Sequence, residues 1–215
     1  MAYSKKTDRM DIYLDEKTKT ILIQLKWKYN WKTAIGDPAW TYVEKKKFHE
    51  MADSLIWKKW GSHYKLYTKG SSDFAKKYST STFLVNFDIK WVITDPHWNV
   101  NVTKIPSGMK SPTSYTLWNS RIINLDTEDT KWTRKKTVGS RNYFHHPITH
   151  EFGHAIGNSS KVGRGDEYNP DNQINGGFKL DYSSIMNVGD QLRNRHLEYI
   201  ITQLNLMIPN TKFYL

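Results

Sequence analysis

The chain has no cysteine among its 215 residues. The fold therefore cannot depend on disulfide bonds, and any metal ion must be held by histidine and carboxylate side chains rather than by thiolates. No run of about 18 apolar residues occurs, so no transmembrane helix is expected. The first residues carry charges throughout and lack an apolar stretch, so no secretory signal is predicted there.

Acidic residues are scarce in the first two thirds of the chain. Residues 1–149 contain 26 Lys and Arg against 14 Asp and Glu, a formal charge of +12, whereas residues 150–215 have a charge of −1. A basic portion of this kind can attract nucleic acid, anionic lipid or an anionic cell envelope, or it can be a solvated lysine-rich surface. No nucleic-acid-binding motif is present.

Aromatic residues make up 14% of the chain, which indicates a folded protein.

The spacing of apolar residues predicts an α+β fold with a mixed sheet. Apolar and polar residues alternate from Ile23 onward, which is typical of a half-buried strand, and an apolar stripe at helical spacing ends at Gly61. We expect one domain over residues 1–215, with the sheet and a central helix in residues 1–157. Strands are predicted at 21–29, 63–67, 82–94, 98–105 and 115–125, a charged loop at 126–140, and helices at 41–60, near 147–157 and at 191–207.

The central helix carries an H-E-x-x-H pattern, from His150 to His154. Residues four apart lie on the same face of a helix, so both imidazoles can bind one ion. Glu151, next to the first histidine, can act as the general base that takes a proton from an attacking water molecule. Gly157 can end the helix in a left-handed turn. The pattern predicts a metal site with two histidine ligands.

Two motifs resemble those of the zincin metallopeptidases, and of their metzincin branch in particular. The first is HEFGHAIG at residues 150–157, and the second is SSIMNVG at residues 183–189, which is similar to a Met-turn with Met186 at its centre. The resemblance implies a zincin-like fold with a twisted mixed sheet, an active-site helix, a Met-turn beneath the metal and a C-terminal helix. It also implies a catalytic zinc ion, Zn²⁺, as the cofactor.

The chain departs from the metzincin pattern at the third ligand, because Ser160 stands where the family has His or Asp. A catalytic zinc needs three protein ligands, so the third must come from elsewhere. Glu167 is the first choice and Asp166 the second. Glu198 and His196 of the last helix are further candidates, and His196 could instead donate to the oxyanion of the tetrahedral intermediate.

The position two residues after the Met of the Met-turn, where the family often has a tyrosine, is occupied by Val188. Tyr168, Tyr182 or His196 would have to take that role. His145 and His146 precede the helix and are interpreted as substrate contacts or surface residues.

The resemblance implies a zinc-dependent endopeptidase whose substrate pairs as an extra strand with residues 98–105 or 115–125. A catalytically degenerate zincin acting as a binding module is one alternative. A basic nucleic-acid-binding protein is another, and it would lose affinity steeply with salt. A secreted nutritional protease is a third, although a signal sequence would be expected for it.

The combination of these motifs with a basic final helix looks like bacterial toxin metallopeptidases. These are carried on type VI secretion spikes, on Rhs-like toxins or in contractile injection particles. The resemblance implies a secreted or injected effector that acts in the periplasm or cytoplasm of a target cell. A protein or peptide substrate is expected, with an immunity protein or a carrier of the secretion machine as a possible partner.

Overall fold

The computed structural model of the chain describes residues 2–109, 113–169 and 177–215. Its main element is a nine-stranded mixed sheet in the order β11-β4-β5-β3-β6-β8-β7, with β2 also pairing with β3 and β1 with β2. The strands are β1 (Ala2–Lys6), β2 (Asp11–Asp15), β3 (Thr20–Thr33), β4 (Tyr64–Gly70), β5 (Phe83–Trp91), β6 (Trp98–Lys104), β7 (Tyr115–Leu117), β8 (Ile122–Asp126) and β11 (Thr211–Tyr214).

Strand β3 is the centre of the sheet. Its apolar residues alternate with polar ones, and every second side chain from Ile21 to Tyr29 is buried. The strand is long enough to pair in parallel with β5 along its first part and with β6 along its second. Strand β8 continues the parallel run, whereas β7 returns antiparallel and forms the outer strand. The central strands therefore bury one face fully, and the helices that pack on that face cover it.

The described residues contain four α-helices: α1 (Tyr42–Trp60), α2 (Asp73–Lys77), α3 (Pro147–Ala155) and α4 (Glu198–Met207). Helix α1 begins at a capping box in which Thr41 and Glu44 satisfy each other's backbone groups. Its buried face includes Trp60, whose indole N–H donates to the Thr149 carbonyl at 3.1 Å. This contact joins α1 to α3, the helix that carries the H-E-x-x-H pattern.

Residues 126–140 are not the charged loop that the sequence indicated. A short 3-10 helix (Thr127–Thr130) is followed by β9 (Thr133–Val138), which pairs with β10 (Arg141–His145) in a separate two-stranded hairpin. The last helix is also shorter than predicted, because a 3-10 helix (Asn194–Leu197) precedes α4. Residues 115–125 form a hairpin of two strands instead of one strand.

At a coarse level the structure confirms the α+β expectation of a mixed sheet with helices. A single cluster of buried apolar side chains connects the sheet with all four helices and with the segment around Met186. Within the described residues, no helix has both the length and the apolar character needed to cross a membrane.

Candidate metal centre

Helix α3 brings the two histidines of the motif to one side. Pro147 occupies its first turn, and a proline is tolerated there because its missing N–H would have no helical partner. His150 is almost fully buried and His154 partly so. The helix ends at Ala155, and Gly157 follows with a φ of 116°, where an added Cβ would clash with Tyr199. The chain can therefore leave the helix only because residue 157 is glycine.

Both imidazoles are oriented by backbone carbonyls. His150 Nδ1 lies 2.6 Å from the Ile185 carbonyl oxygen, and His154 Nδ1 lies 2.6 Å from that of Asn158. Because a carbonyl can only accept, each Nδ1 carries the proton, and in a neutral ring Nε2 is then left with a lone pair. The two Nε2 atoms lie 3.2 Å apart. The backbone thus points two potential ligand atoms at the same place.

Asp166 completes a group of three atoms at this place. Its Oδ1 lies 3.1 Å from His150 Nε2 and 3.3 Å from His154 Nε2. Atoms that present lone pairs approach so closely only when a cation lies among them, either a ring proton or a metal ion. Ligand atoms about 2.0–2.1 Å from a tetrahedral zinc are separated from one another by about 3.3 Å. The three observed separations fit that geometry.

The charges within this group support the same conclusion. Burial by itself would raise the pKa of the Asp166 carboxyl, but the imidazoles of His150 and His154 hold it well below its usual range. Burial would lower the pKa of His154, yet the hydrogen bond with Asp166 outweighs it and raises the pKa to about 9. A carboxylate and two imidazoles form a suitable donor set for a divalent cation.

Glu151 places its carboxylate close to the rings of the two histidines. Ligand-capable atoms of His150, Glu151 and His154 all lie within 4.8 Å of one another, so this group could hold a metal ion. Thr116 of the outer strand β7 donates its hydroxyl to Glu151 Oε2 at 2.9 Å. A threonine in a predicted strand carries no sequence signal for this contact, and the sequence interpretation missed it. The hydroxyl fixes the carboxylate toward the cavity.

The cavity at this cluster has a volume of about 240 Å³. Its lining includes Ser160, the position where the metzincin pattern has its third ligand, and Tyr168. Burial and the nearby Asp166 carboxylate raise the pKa of Tyr168, so its phenol stays protonated and can donate. Of the three residues considered for the family's tyrosine role, Tyr168 is the one that lines this cavity.

Met186 lies directly against α3. The residue is buried, and its Sδ atom would lie 2.5 Å from a Cβ added to Gly153, between the two histidines of the motif. The preceding carbonyl, that of Ile185, is the one that orients His150. The segment identified as a Met-turn therefore contacts the candidate metal helix through both its backbone and its central side chain.

Glu167, the first choice for the third ligand, faces a different group. Its carboxylate makes two hydrogen bonds with the Arg195 guanidinium, at 2.6 and 2.8 Å, and its Oε1 lies 3.4 Å from His196 Nε2. The second choice, Asp166, is the carboxylate beside the two imidazoles. We therefore replace Glu167 by Asp166 in the candidate ligand set, because consecutive side chains of this loop point to opposite sides.

The other two candidates also lie away from the cavity. His196 is 1% exposed, its Nδ1 accepts from the Arg193 backbone N–H at 3.1 Å, and its Nε2 contacts Ser184. It cannot donate to an oxyanion in the cavity, and its expected catalytic role is corrected to a structural one. Glu198 pairs with Arg164 at 2.9 Å on a half-exposed surface.

The two strands considered for substrate pairing differ in their surroundings. Strand β6 lies between β3 and β8, so both its edges are already occupied. Strand β7 is the outer strand, and Thr116 joins it to Glu151. Among the described residues, only the 115–117 part of the predicted strands can therefore accept an additional chain beside the cluster.

Comparison of the chain with protein-family models, with curated proteins and with solved structures finds no match.

Proposed function

We propose that this chain is a zinc-dependent endopeptidase in which His150, His154 and Asp166 hold the metal and Glu151 acts as general base. The observation that carries the proposal is the set of three ligand atoms spaced 3.1–3.3 Å from one another. Both imidazoles reach this place with their Nδ1 protons already engaged by backbone carbonyls. An ordinary buried ion pair needs only one imidazole beside the carboxylate. It does not account for the second ring nitrogen, which lies 3.2 Å from the first.

A zinc ion in this site would act as a Lewis acid that lowers the pKa of water and polarises the carbonyl of the scissile bond. Glu151 takes the proton of the attacking water as the C–O bond forms, and it delivers that proton to the amine as the C–N bond breaks. Thr116 keeps the Glu151 carboxylate aimed into the cavity through its 2.9 Å hydrogen bond. Tyr168, protonated and lining the cavity, can donate to the developing oxyanion.

Strand β7 provides the binding edge for the substrate in this proposal. An extended peptide that pairs with Tyr115–Leu117 gains main-chain hydrogen bonds and passes beside Glu151. The strand has only three residues, so we expect it to position a short stretch of substrate around the scissile bond. Specificity must then come from side chains at the walls of the cavity.

Metal content and hydrolysis test the proposal together. Purified protein is freed of metal with a chelator, reloaded with zinc and assayed for bound metal and for cleavage of an unfolded protein substrate. We expect about one zinc per chain and metal-dependent cleavage, with Glu151→Gln retaining the metal and losing at least a hundredfold in rate. A parent that binds no zinc, or a Glu151→Gln variant as active as the parent, contradicts the proposal.

The presence of Asp166 at the cluster also bears on the degenerate alternative. That alternative depended on the missing ligand at position 160, and a carboxylate from the following loop can replace it.

For the biological role we propose a bacterial toxin or effector delivered into a target cell, on the strength of the motif resemblance. Production of the parent and of Glu151→Gln inside bacteria, in cytoplasmic and periplasmic forms, tests it, because only the parent should arrest growth.

A further inference from the structure

The cavity at the histidine cluster continues into a second cavity of about 520 Å³. The two share His150 and Glu151 at the base and Lys135 on one wall. The opposite wall is formed by residues 113–114, which lead into the outer strand β7. A peptide lying along β7 at the cluster therefore runs between that strand and the β9–β10 hairpin.

The hairpin wall is basic. Arg134, Lys135 and Lys136 follow one another in β9 and are exposed. Arg134 lines the second cavity and Lys135 lines both. No carboxylate of the described residues lies within ion-pair distance of either side chain, whereas some other lysines are paired, such as Lys131 with Glu128 at 2.6 Å. Within the described part of the chain, these two cations of the wall have no ion-paired carboxylate.

The acidic groups of the same cavity do not supply that counter-charge. Glu128 is paired with Lys131. Asp129 is buried, and its Oδ2 accepts from the Ser114 hydroxyl at 2.6 Å and from the Asp126 backbone N–H at 2.8 Å. His145, also in the lining, is held neutral because burial lowers its pKa to about 2. The third acidic residue of the lining, Glu151, lies at the base beside the histidines, so the hairpin side of the cavity presents only positive charge.

We propose that Lys135 and Arg134 select substrates with an acidic side chain close to the scissile bond, so that the enzyme cleaves acidic segments of proteins. This inference rests on the endopeptidase function proposed above and adds the class of substrate. An exposed charge pair contributes roughly 0.2–1 kcal/mol, and the upper part of this range, from about 0.4 kcal/mol, corresponds to a preference of about two- to fivefold at a flanking position. The preference should decline as salt screens the pair.

A peptide library tests the selection. Proteome-derived peptides are incubated with the zinc-loaded parent, and the cleaved bonds are identified by mass spectrometry. We expect Asp and Glu to be enriched about two- to fivefold within two residues of the cleaved bond, and Lys135→Glu to convert this into enrichment of Lys and Arg. Lys136→Glu is the matched control, because this neighbouring lysine of the same strand lines neither cavity and should leave the preference unchanged.

A binding measurement separates the two proposals. Fluorescence anisotropy is recorded for labelled Asp/Glu-rich and Lys/Arg-rich peptides with Glu151→Gln, alone and combined with Lys135→Glu or Lys136→Glu. Tighter binding of the acidic peptide, lost only with Lys135→Glu, supports the inference even if hydrolysis is absent and the peptidase proposal fails. Equal binding of both peptides, or cleavage by the parent without any charge preference, overturns the inference while leaving the peptidase proposal intact.

Discussion

Asp166 and Glu167 are consecutive carboxylates with opposite environments. The Asp166 Oδ1 atom lies beside the Nε2 atoms of two imidazoles. Each of these rings carries a proton on Nδ1, which donates to a backbone carbonyl on the far side of the ring. The Glu167 carboxylate is completely buried and is satisfied by the Arg195 guanidinium, which also bonds to Asp181. Each side chain is near histidine, yet only the first group has its lone pairs directed at a common point.

The comparison distinguishes a candidate metal site from a structural ion pair. A guanidinium supplies permanent protons to its carboxylate, so the Glu167 group is electrically complete as it stands. The Asp166 group is complete only when a cation lies among its three ligand atoms. The Glu167 backbone N–H also donates to the Met186 carbonyl at 2.8 Å, which ties the loop to the Met186 turn. Glu167 anchors the loop, and its neighbour Asp166 is thereby placed beside the imidazoles.

The largest expected effect is on metal affinity. Asp166→Asn removes the anionic ligand, so we expect zinc affinity to fall by more than about a thousandfold, or more than about 4 kcal/mol. The measurement is competitive titration against a chromophoric chelator. Glu167→Gln is the matched control, since it changes the adjacent carboxylate and should leave zinc affinity within about tenfold. Equal loss in both variants would remove the distinction between the two groups.

The next effect is on stability, and here we expect the substitution of Glu167 to matter more than that of Asp166. Glu167→Gln removes the anionic partner of the partly buried Arg195 guanidinium, which keeps its contact with Asp181, so we expect a loss of about 1.5–3 kcal/mol. Urea unfolding of the metal-free protein should show this loss. Asp166→Asn should lose less stability in the same assay, because its carboxylate is partly exposed and water can replace part of the lost contact.

A smaller effect is expected at the contact between α3 and the Met186 turn. Gly153→Ala places a methyl group 2.5 Å from Met186 Sδ and 3.1 Å from Trp60, so the side chains must shift at a cost of about 1–3 kcal/mol. Thermal unfolding measures the loss. Gly163→Ala is the control, because the nearest atom to its added Cβ lies 3.5 Å away. A neutral Gly153→Ala would show that the turn is not packed closely against the helix.

The smallest effect concerns Asp129, which is buried without a guanidinium partner. Burial and the nearby Asp126 raise its pKa from 3.8 to about 7. The folded state therefore holds this proton while the unfolded state loses it, and the free energy of unfolding should decrease by about 1 kcal/mol per pH unit between pH 5 and 6. Asp129→Asn should remove this slope from urea-unfolding data. A slope that persists in the variant would assign it to another group.

The site helix was predictable because its chemistry is local. Two histidines four residues apart, a glutamate beside the first, a proline before them and Gly157 after them are recognisable without tertiary structure. The carboxylate ligand was not predictable, since a sequence does not determine on which side of a loop each of two adjacent residues points. Thr116 and Lys135 gave no signal either, because a threonine in a strand and a lysine in a charge run usually serve no site.

The hairpin of β9 and β10 was missed for a related reason. Its first strand is exposed along nearly its whole length, so burial imposes no alternation on residues 133–138. The predicted last helix began too early, because Leu192, His196 and Tyr199 have helical spacing, whereas Asn194–Leu197 form a 3-10 helix. Periodicity identifies elements that pack on the core, and it fails where an element stands apart from the core or tightens at its end.

The sequence by itself determined the central strands, the helices α1 and α3, and the two histidines with their glutamate, since period, capping and helical spacing are properties of neighbouring residues. Only the tertiary structure decided which carboxylate joins them, which strand is open at the sheet edge and which lysines line the cavity. These depend on contacts between segments far apart in the chain. Arg195, which binds the Glu167 carboxylate, is 28 residues away from it, and that long-range ion pair leaves Asp166 to face the candidate metal site.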